Sequence, residues 1–229
     1  MRVVRLGGRF LAITERRLWA GLSISVLVVG VAVVAFPVVP VIVLAALAVF
    51  FGGGWFANRL HRVRQGRLGE RLVTNLLGQL SDDYWLINDL VVAPRRGNVD
   101  HVVVGPCGVV VIETKRVAGH VRCHGDHWYV NGHRRRSMSR QVNAGAAAVK
   151  ELLARRHPDF TSFVTSIVVL THPLCRLEVH RARATIVRYS ELKQVILELA
   201  KRRRMSPTRV AELARILGAS QEPTVVAHA

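Results

Sequence analysis

Residues 99–115 read VDHVVVGPCGVVVIETK, and this stretch decides the fold. Two strand-like runs, 99–104 and 109–114, flank Gly105-Pro106-Cys107-Gly108, a four-residue turn signal that joins them as an antiparallel hairpin. With Val104 opposite Val109, paired residue numbers sum to 213, and Asp100 falls directly opposite Glu113. Side chains so placed have Cβ atoms about 4.5–5.5 Å apart, where like charges repel. Lys115, two residues beyond Glu113, projects from the same face. The strands are otherwise apolar on both faces, which predicts a sheet covered on both sides. Two carboxylates at the end of such a hairpin destabilise it unless a cation neutralises them. A divalent ion with oxygen ligands does this, Mg²⁺ typically taking one or two carboxylates plus a substrate phosphate. A plain ion pair of Lys115 with Glu113 or Asp100 is the simpler alternative.

Working outward, residues 67–80 read as a helix with Leu68, Leu72, Leu76 and Leu80 every four residues and Val73 and Leu77 beside them. Glu70 lies one heptad before Leu77, at the margin of that apolar face. Residues 85–92 form a strand. On the other side, His120, Cys123, His124, His127 and His133 cluster without the spacing of paired zinc ligands. Residues 128–132 (WYVNG) read as a further hairpin with an Asn-Gly turn, and strand alternation scatters that cluster over both faces. Ser139 is placed to cap a helix carrying Val142, Ala146, Val149 and Leu153, with Gln141 in its first turn, where free amides can face a phosphate. Residues 166–170 and 185–187 are short strands. Ser190 caps a helix with Leu192, Val195, Ile196 and Leu199 inward; Ser206-Pro207 opens another with Val210, Leu213, Ala214 and Leu217, closed by Gly218. The basic connection 201–205 is longer than a helix-turn-helix turn, so the two helices read as a packing pair.

Composition adds a second material. The chain has 229 residues, 33 Lys+Arg against 15 Asp+Glu and a formal charge of +18, yet half of it is apolar and its mean hydropathy is +0.26. A disordered basic tail lacks such apolar content, and an ordinary soluble domain rarely joins it to this charge. Residues 18–56 hold no Asp, Glu, Lys, Arg or His. Pro37 and Pro40 near the middle predict a transmembrane helical hairpin, 18–36 and 41–56, turning between them. Arg2, Arg5, Arg9, Arg16 and Arg17 precede the run and Arg59, Arg62, Arg64 and Arg67 follow it, so both flanks are expected on the cytoplasmic side of the cell membrane. Three cysteines without CxxC spacing suit that reducing compartment. The expected division is a basic segment 1–17, the hairpin 18–56, a cytoplasmic domain 57–217 and a flexible tail 218–229. The domain's clusters Arg95-Arg96, Arg134-Arg135-Arg136, Arg155-Arg156 and residues 201–204 attract polyanions, either nucleic acid or anionic lipid.

The order of these residues resembles a known family. Asp100, then Glu113-Thr114-Lys115 after twelve residues, is similar to the metal site of the PD-(D/E)xK nuclease superfamily. Gly69-Glu70, the run from Asn98 to Pro106, Gly108 to Lys115, Gly119, Trp128 and Gln141 resemble its NERD (nuclease-related domain) branch over 67–153. The resemblance implies an α/β fold, a restriction-endonuclease-like mixed sheet with helices on both faces, here preceded by the two transmembrane helices. It implies that Glu70, Asp100 and Glu113 hold Mg²⁺ or Mn²⁺, that Lys115 positions the attacking water or stabilises charge, and that Gln141 completes the site. The activity implied is hydrolysis of nucleic acid, DNA foremost; the alternative is a catalytically silent module binding nucleic acid or anionic lipid. Val99 replaces the superfamily's Pro, and residues 137–141 lack the Asn-Pro expected before the Gln.

Overall fold

The computed structural model describes residues 2–5, 9–35, 39–93 and 97–219, and side chains within 17–31, 43–44, 46–92 and 98–218. In chain order the elements are β1 (Arg2–Arg5), α1 (Arg9–Ala35), α2 (Val39–Leu77), β2 (Trp85–Ala93), β3 (Gly97–Gly105), β4 (Gly108–Lys115), β5 (Gly119–His124), β6 (His127–Val130), β7 (His133–Arg135), α3 (Met138–Arg156), β8 (Val164–Leu170), β9 (Cys175–His180), β10 (Thr185–Arg188), α4 (Tyr189–Arg203) and α5 (Pro207–Ala219). They fall into two compact units, residues 8–68 and residues 1–7 with 69–229. The turn expected across 36–40, the Arg95-Arg96 cluster and the tail beyond 219 involve residues outside those described.

In the larger unit six strands run in the order β1-β2-β3-β4-β8-β10. The β3–β4 hairpin has the expected register, from Gly105 opposite Gly108 to His101 opposite Ile112. β4 continues into a parallel pair with β8, Glu113 beside Val168 and Lys115 beside Leu170, and β8 runs parallel to β10. The sheet is therefore mixed and buried on both faces, as an uninterrupted valine run requires. On one face Val102, Val104, Val109 and Val111 meet Val142, Val149 and Leu153 of α3 and Leu213 and Leu217 of α5. On the other Leu86, Val103, Val110 and Ile112 meet Val73 and Leu77 of α2 and Leu192 and Ile196 of α4.

A second sheet, ordered β7-β6-β5-β9, grows from the same strands. Its inward residues Val121, Cys123, Trp128 and Val130 join the α3 side of the core. The Asn-Gly turn forms as expected, with Asn131 at φ 49° and Gly132 at φ 82°, the two positive angles of a hairpin turn whose twist matches its strands.

Several local expectations are corrected. The first-turn cap of α3 is Ser137, whose Oγ accepts the Arg140 amide at 3.1 Å; Ser139 is buried and accepts the Trp128 indole N–H at 2.9 Å instead. Ser190 lies inside α4, which opens at Arg188, the Arg188 amide donating to the Glu191 carboxylate at 2.8 Å. Gly218 does not close α5, which runs to Ala219. α4 and α5 are not a packing pair, because they cover opposite faces of the six-stranded sheet, the chain crossing between them where the Met205 amide donates to the Pro106 carbonyl at 3.1 Å. The helix expected over 67–80 is the end of α2, and its inward residues are Val73 and Leu77 while Leu68 is exposed. Strands β1 and β9 were not foreseen, and β5 was given no bounds. β9 pairs parallel with β5, and β1, inside the expected basic segment, pairs parallel with β2.

In the smaller unit α1 begins at Arg9, nine residues before the uncharged run, and that run continues into α2. Trp19 and Phe56, at the two ends of the run, meet edge-on with ring centroids 5.0 Å apart, so α1 and this part of α2 run back along each other. Among the described residues no helix is long and apolar enough to cross a membrane. The fully described pieces of the run, 18–31 and 46–56, each fall short of the roughly 20 residues that a crossing needs.

Candidate active site

The site forms at the end of the β3–β4 hairpin away from its turn. The main-chain ladder between these strands stops at His101 and Ile112. One step further, the Asp100 side chain takes over: its Oδ2 accepts the Thr114 amide at 2.7 Å, a strong bond because the acceptor is charged. Glu113 is buried at 5% exposure, and its Oε1 accepts from Lys115 Nζ at 2.5 Å. Alternation along β4 explains that pair, since residues two apart share a face. Glu70 reaches this end of the sheet from α2. Its neighbour Gly69 is packed so closely that an added Cβ lies 3.0 Å from Thr171 Oγ1 and 3.1 Å from Thr114 Cγ2.

The electrostatics follow from burial. Desolvation, then the Glu113 charge, push Asp100 well above the usual carboxylate range; the Thr114 amide and Lys115 pull it back, and Glu70 adds a smaller push upward. Burial also raises Glu113, and the Lys115 ammonium offsets only part of that rise. Two neighbouring carboxylates that both resist ionisation, beside one ammonium, make a site short of positive charge. Next to them His101 is fully buried, its Nδ1 2.7 Å from Asn88 Oδ1, and burial lowers its pKa to about 3, so it is a neutral strut at neutral pH.

Residues 65–171 match the nuclease-related domain family, NERD. The matched segment contains Glu70, Asp100, Glu113, Lys115 and Gln141, and it ends on Thr171, whose amide donates to the Lys115 carbonyl at 3.0 Å. The match runs beyond the expected core of 67–153 and takes in β8, the strand that flanks β4. No curated protein and no solved structure matches the chain.

Of the residues expected in the site, Asp100, Glu113, Lys115 and Glu70 come together electrostatically. Gln141 does not join them by a described contact: it is exposed in the first turn of α3, its amide donating to the Ser137 carbonyl at 3.3 Å. It precedes by one turn Gly145, where an added Cβ meets Val99 and Val111, so Gln141 shares the helix face turned to this end of the sheet. Among the described residues no group of three or more His, Cys, Asp or Glu side chains is arranged to hold a metal ion. The cysteine–histidine cluster is divided as alternation requires, Cys123 buried inward and His124 and His127 outward. The Thr114 amide was missed by sequence reading, and Gly69, quoted there only for the resemblance, was not read as a point of close packing.

Proposed function

We propose that this chain is a membrane-anchored, metal-dependent nuclease that hydrolyses phosphodiester bonds of nucleic acid, DNA foremost, at the cytoplasmic face of the membrane. The observation that carries the reading is the pair Asp100 and Glu113 on adjoining strand ends, both disfavoured as anions, with Lys115 bonded to Glu113. A nucleic-acid binding surface has no use for buried carboxylates, which repel phosphate. Oxygen donors of this kind suit a hard divalent cation, and Asp100, Glu113 and Glu70 are the residues that would hold Mg²⁺ or Mn²⁺ once drawn closer together than they stand in the metal-free fold. Such an ion, when bound, supplies Lewis acidity and lowers the pKa of water near a phosphodiester.

The chain's own residues do the rest. The Thr114 amide fixes the Asp100 carboxylate. Lys115, with its side chain 29% exposed, can leave Glu113 for a phosphate oxygen and meet the charge that grows in the transition state. Gln141, exposed in the first turn of α3, would meet the substrate with its side chain.

The anchoring reading is supported by three features. Residues 18–56 are uncharged, and apolar side chains such as Leu27 and Phe50 point outward. α1 and α2 double back on each other through Trp19 and Phe56. β1 precedes the run and β2 follows it, and their pairing in one sheet supports a reading in which both flanks lie on the same side.

The Glu113–Lys115 bond favours one alternative, a catalytically silent module on the same fold that binds nucleic acid or anionic lipid, because it neutralises Glu113 without a metal. Cleavage assays of the full chain in detergent, with Mg²⁺ or Mn²⁺ and single- or double-stranded DNA and RNA, separate the two. Turnover that disappears in Asp100→Ala and Glu113→Ala supports the nuclease. Metal-independent binding with no turnover on any substrate supports the silent module.

A further inference from the structure

The four-stranded sheet has a face that the site does not use. Its inward residues are buried, and the alternate residues point outward. The register sets these outward residues in rows. One row runs Arg134 (β7), Tyr129 (β6), Arg122 (β5) and Glu178 (β9), each opposite the next. The adjacent row places His127, His124 and His180 opposite one another across β6, β5 and β9. Arg122, Arg134 and all three histidines are exposed, and Tyr129 is half-buried between its two arginines. The one acid in the first row, Glu178, is engaged by His120 at 3.0 Å.

We propose that this face is a platform for single-stranded nucleic acid that leads the strand to the carboxylate site. An aromatic ring flanked by guanidinium groups on an open sheet suits unpaired bases, which stack on the ring while the arginines meet phosphates. The imidazole row extends the planar, hydrogen-bonding surface. A duplex keeps its bases stacked inside and cannot use Tyr129 in this way.

Connectivity puts the platform beside the site. β5 begins at Gly119, four residues after Lys115, and its amide donates to the Leu174 carbonyl at 3.0 Å just before β9. Five residues from Lys115 to His120 span at most about 18 Å of extended chain, the length of a few nucleotides. The proposal rests on nucleic acid being the ligand of this domain and is independent of turnover.

The test is fluorescence anisotropy of the full chain in detergent, in EDTA, with labelled twenty-residue oligo-dT, oligo-rU and a twenty-base-pair duplex. Tyr129→Ala should weaken both single strands by about 5- to 100-fold and leave the duplex nearly unchanged, and Tyr129→Phe should restore single-strand binding. Arg122→Ala with Arg134→Ala should lower the slope of log affinity against log salt by about 1.4. Melting temperatures confirm that the variants are folded. Unchanged single-strand affinity in folded Tyr129→Ala, equal losses on single strand and duplex, or binding only to anionic lipid vesicles overturns the platform. Unaltered binding with cleavage still dependent on Asp100 would remove the platform and leave the nuclease. Lost binding in Tyr129→Ala, in a protein that never cleaves, would do the reverse.

Discussion

Replacing Asp100 by Asn should stabilise the metal-free protein while abolishing cleavage. At about 5 Å, the separation typical of opposed side chains, two unit charges repel by about 3 kcal/mol with an effective dielectric constant near 20. Asn keeps the shape and can still accept from Thr114, but a neutral acceptor forfeits about 1 kcal/mol of that bond, and the pull of Lys115 is lost as well. The net gain is about 1–2 kcal/mol, a rise in melting temperature of roughly 2–8 °C for a unit of this size. The pH dependence has a definite sign. Because Asp100 and Glu113 are raised in the fold, the native state holds more protons than the unfolded chain between about pH 4 and the raised values, so their contribution to stability falls as pH rises through that window. His101, lowered to about 3, acts oppositely, costing stability as pH falls below about 6.5. The informative quantity is therefore the difference between wild type and Asp100→Asn, in which His101 cancels. Thermal melting in EDTA should show an advantage for the variant at pH 7 that shrinks toward pH 5. Mg²⁺ should raise the wild type's midpoint more than the variant's. A variant that melts below wild type at pH 7 without metal would refute the argument, since the carboxylate would then be satisfied by the fold alone.

Lys115→Ala should bind Mn²⁺ several-fold more tightly, by calorimetry, because a competing ammonium has left Glu113, and yet cleave at least 100-fold more slowly. Unchanged Mn²⁺ affinity in a folded Lys115→Ala protein would mark the ion pair as structural. Ser139→Ala strands the buried indole N–H of Trp128 and should cost about 1–3 kcal/mol in denaturant melts, against about 1 kcal/mol for the cap change Ser137→Ala. Gly119→Ala meets a φ of 91° and the Asn131 side chain, whose Oδ1 accepts the His120 amide at 2.8 Å. It should cost about 2 kcal/mol or more, and hydrogen exchange should show the loss concentrated in β5 and β6.

The hairpin was legible because its information is local. A turn between two valine runs fixes a register, and the register fixes which acid faces which. The faces of α3 and α5 were legible from their periodicity for the same reason. What escaped depends on distant partners. β9, with alternating Arg176 and Glu178, has no apolar run of its own and becomes a strand because β5 offers a parallel edge. β1 is four residues long and exists only against β2. Ser137 and Ser139 are equally good caps by residue type; the choice falls to Trp128, whose buried indole needs an acceptor and takes Ser139. The separation of α4 and α5 onto opposite faces turns on the crossing at Met205, where the chain passes the β3–β4 turn. No spacing rule records that passage. Gln141 shows the limit of resemblance: a motif names the residue, but side-chain contact is decided by rotamer and packing, which a motif does not specify.

The placement of the carboxylates follows from how the two sheets share strands. β4 and β8 end together at Lys115 and Leu170, and beyond that point each supplies a strand of the second sheet, β5 and β9. A chain leaving one sheet for another gives up its ladder for a few residues, and the freed main-chain groups need partners. Asp100 takes the Thr114 amide, and the Thr171 amide and Lys115 carbonyl bond each other. The acids sit at this seam because a charged acceptor is useful there to the fold. Their repulsion is the part the fold does not need. It is tolerated because Glu113 has Lys115 beside it, and under the proposed function a bound cation would relieve it further. The same residues therefore close the architecture and hold the charge deficit on which the proposed chemistry depends.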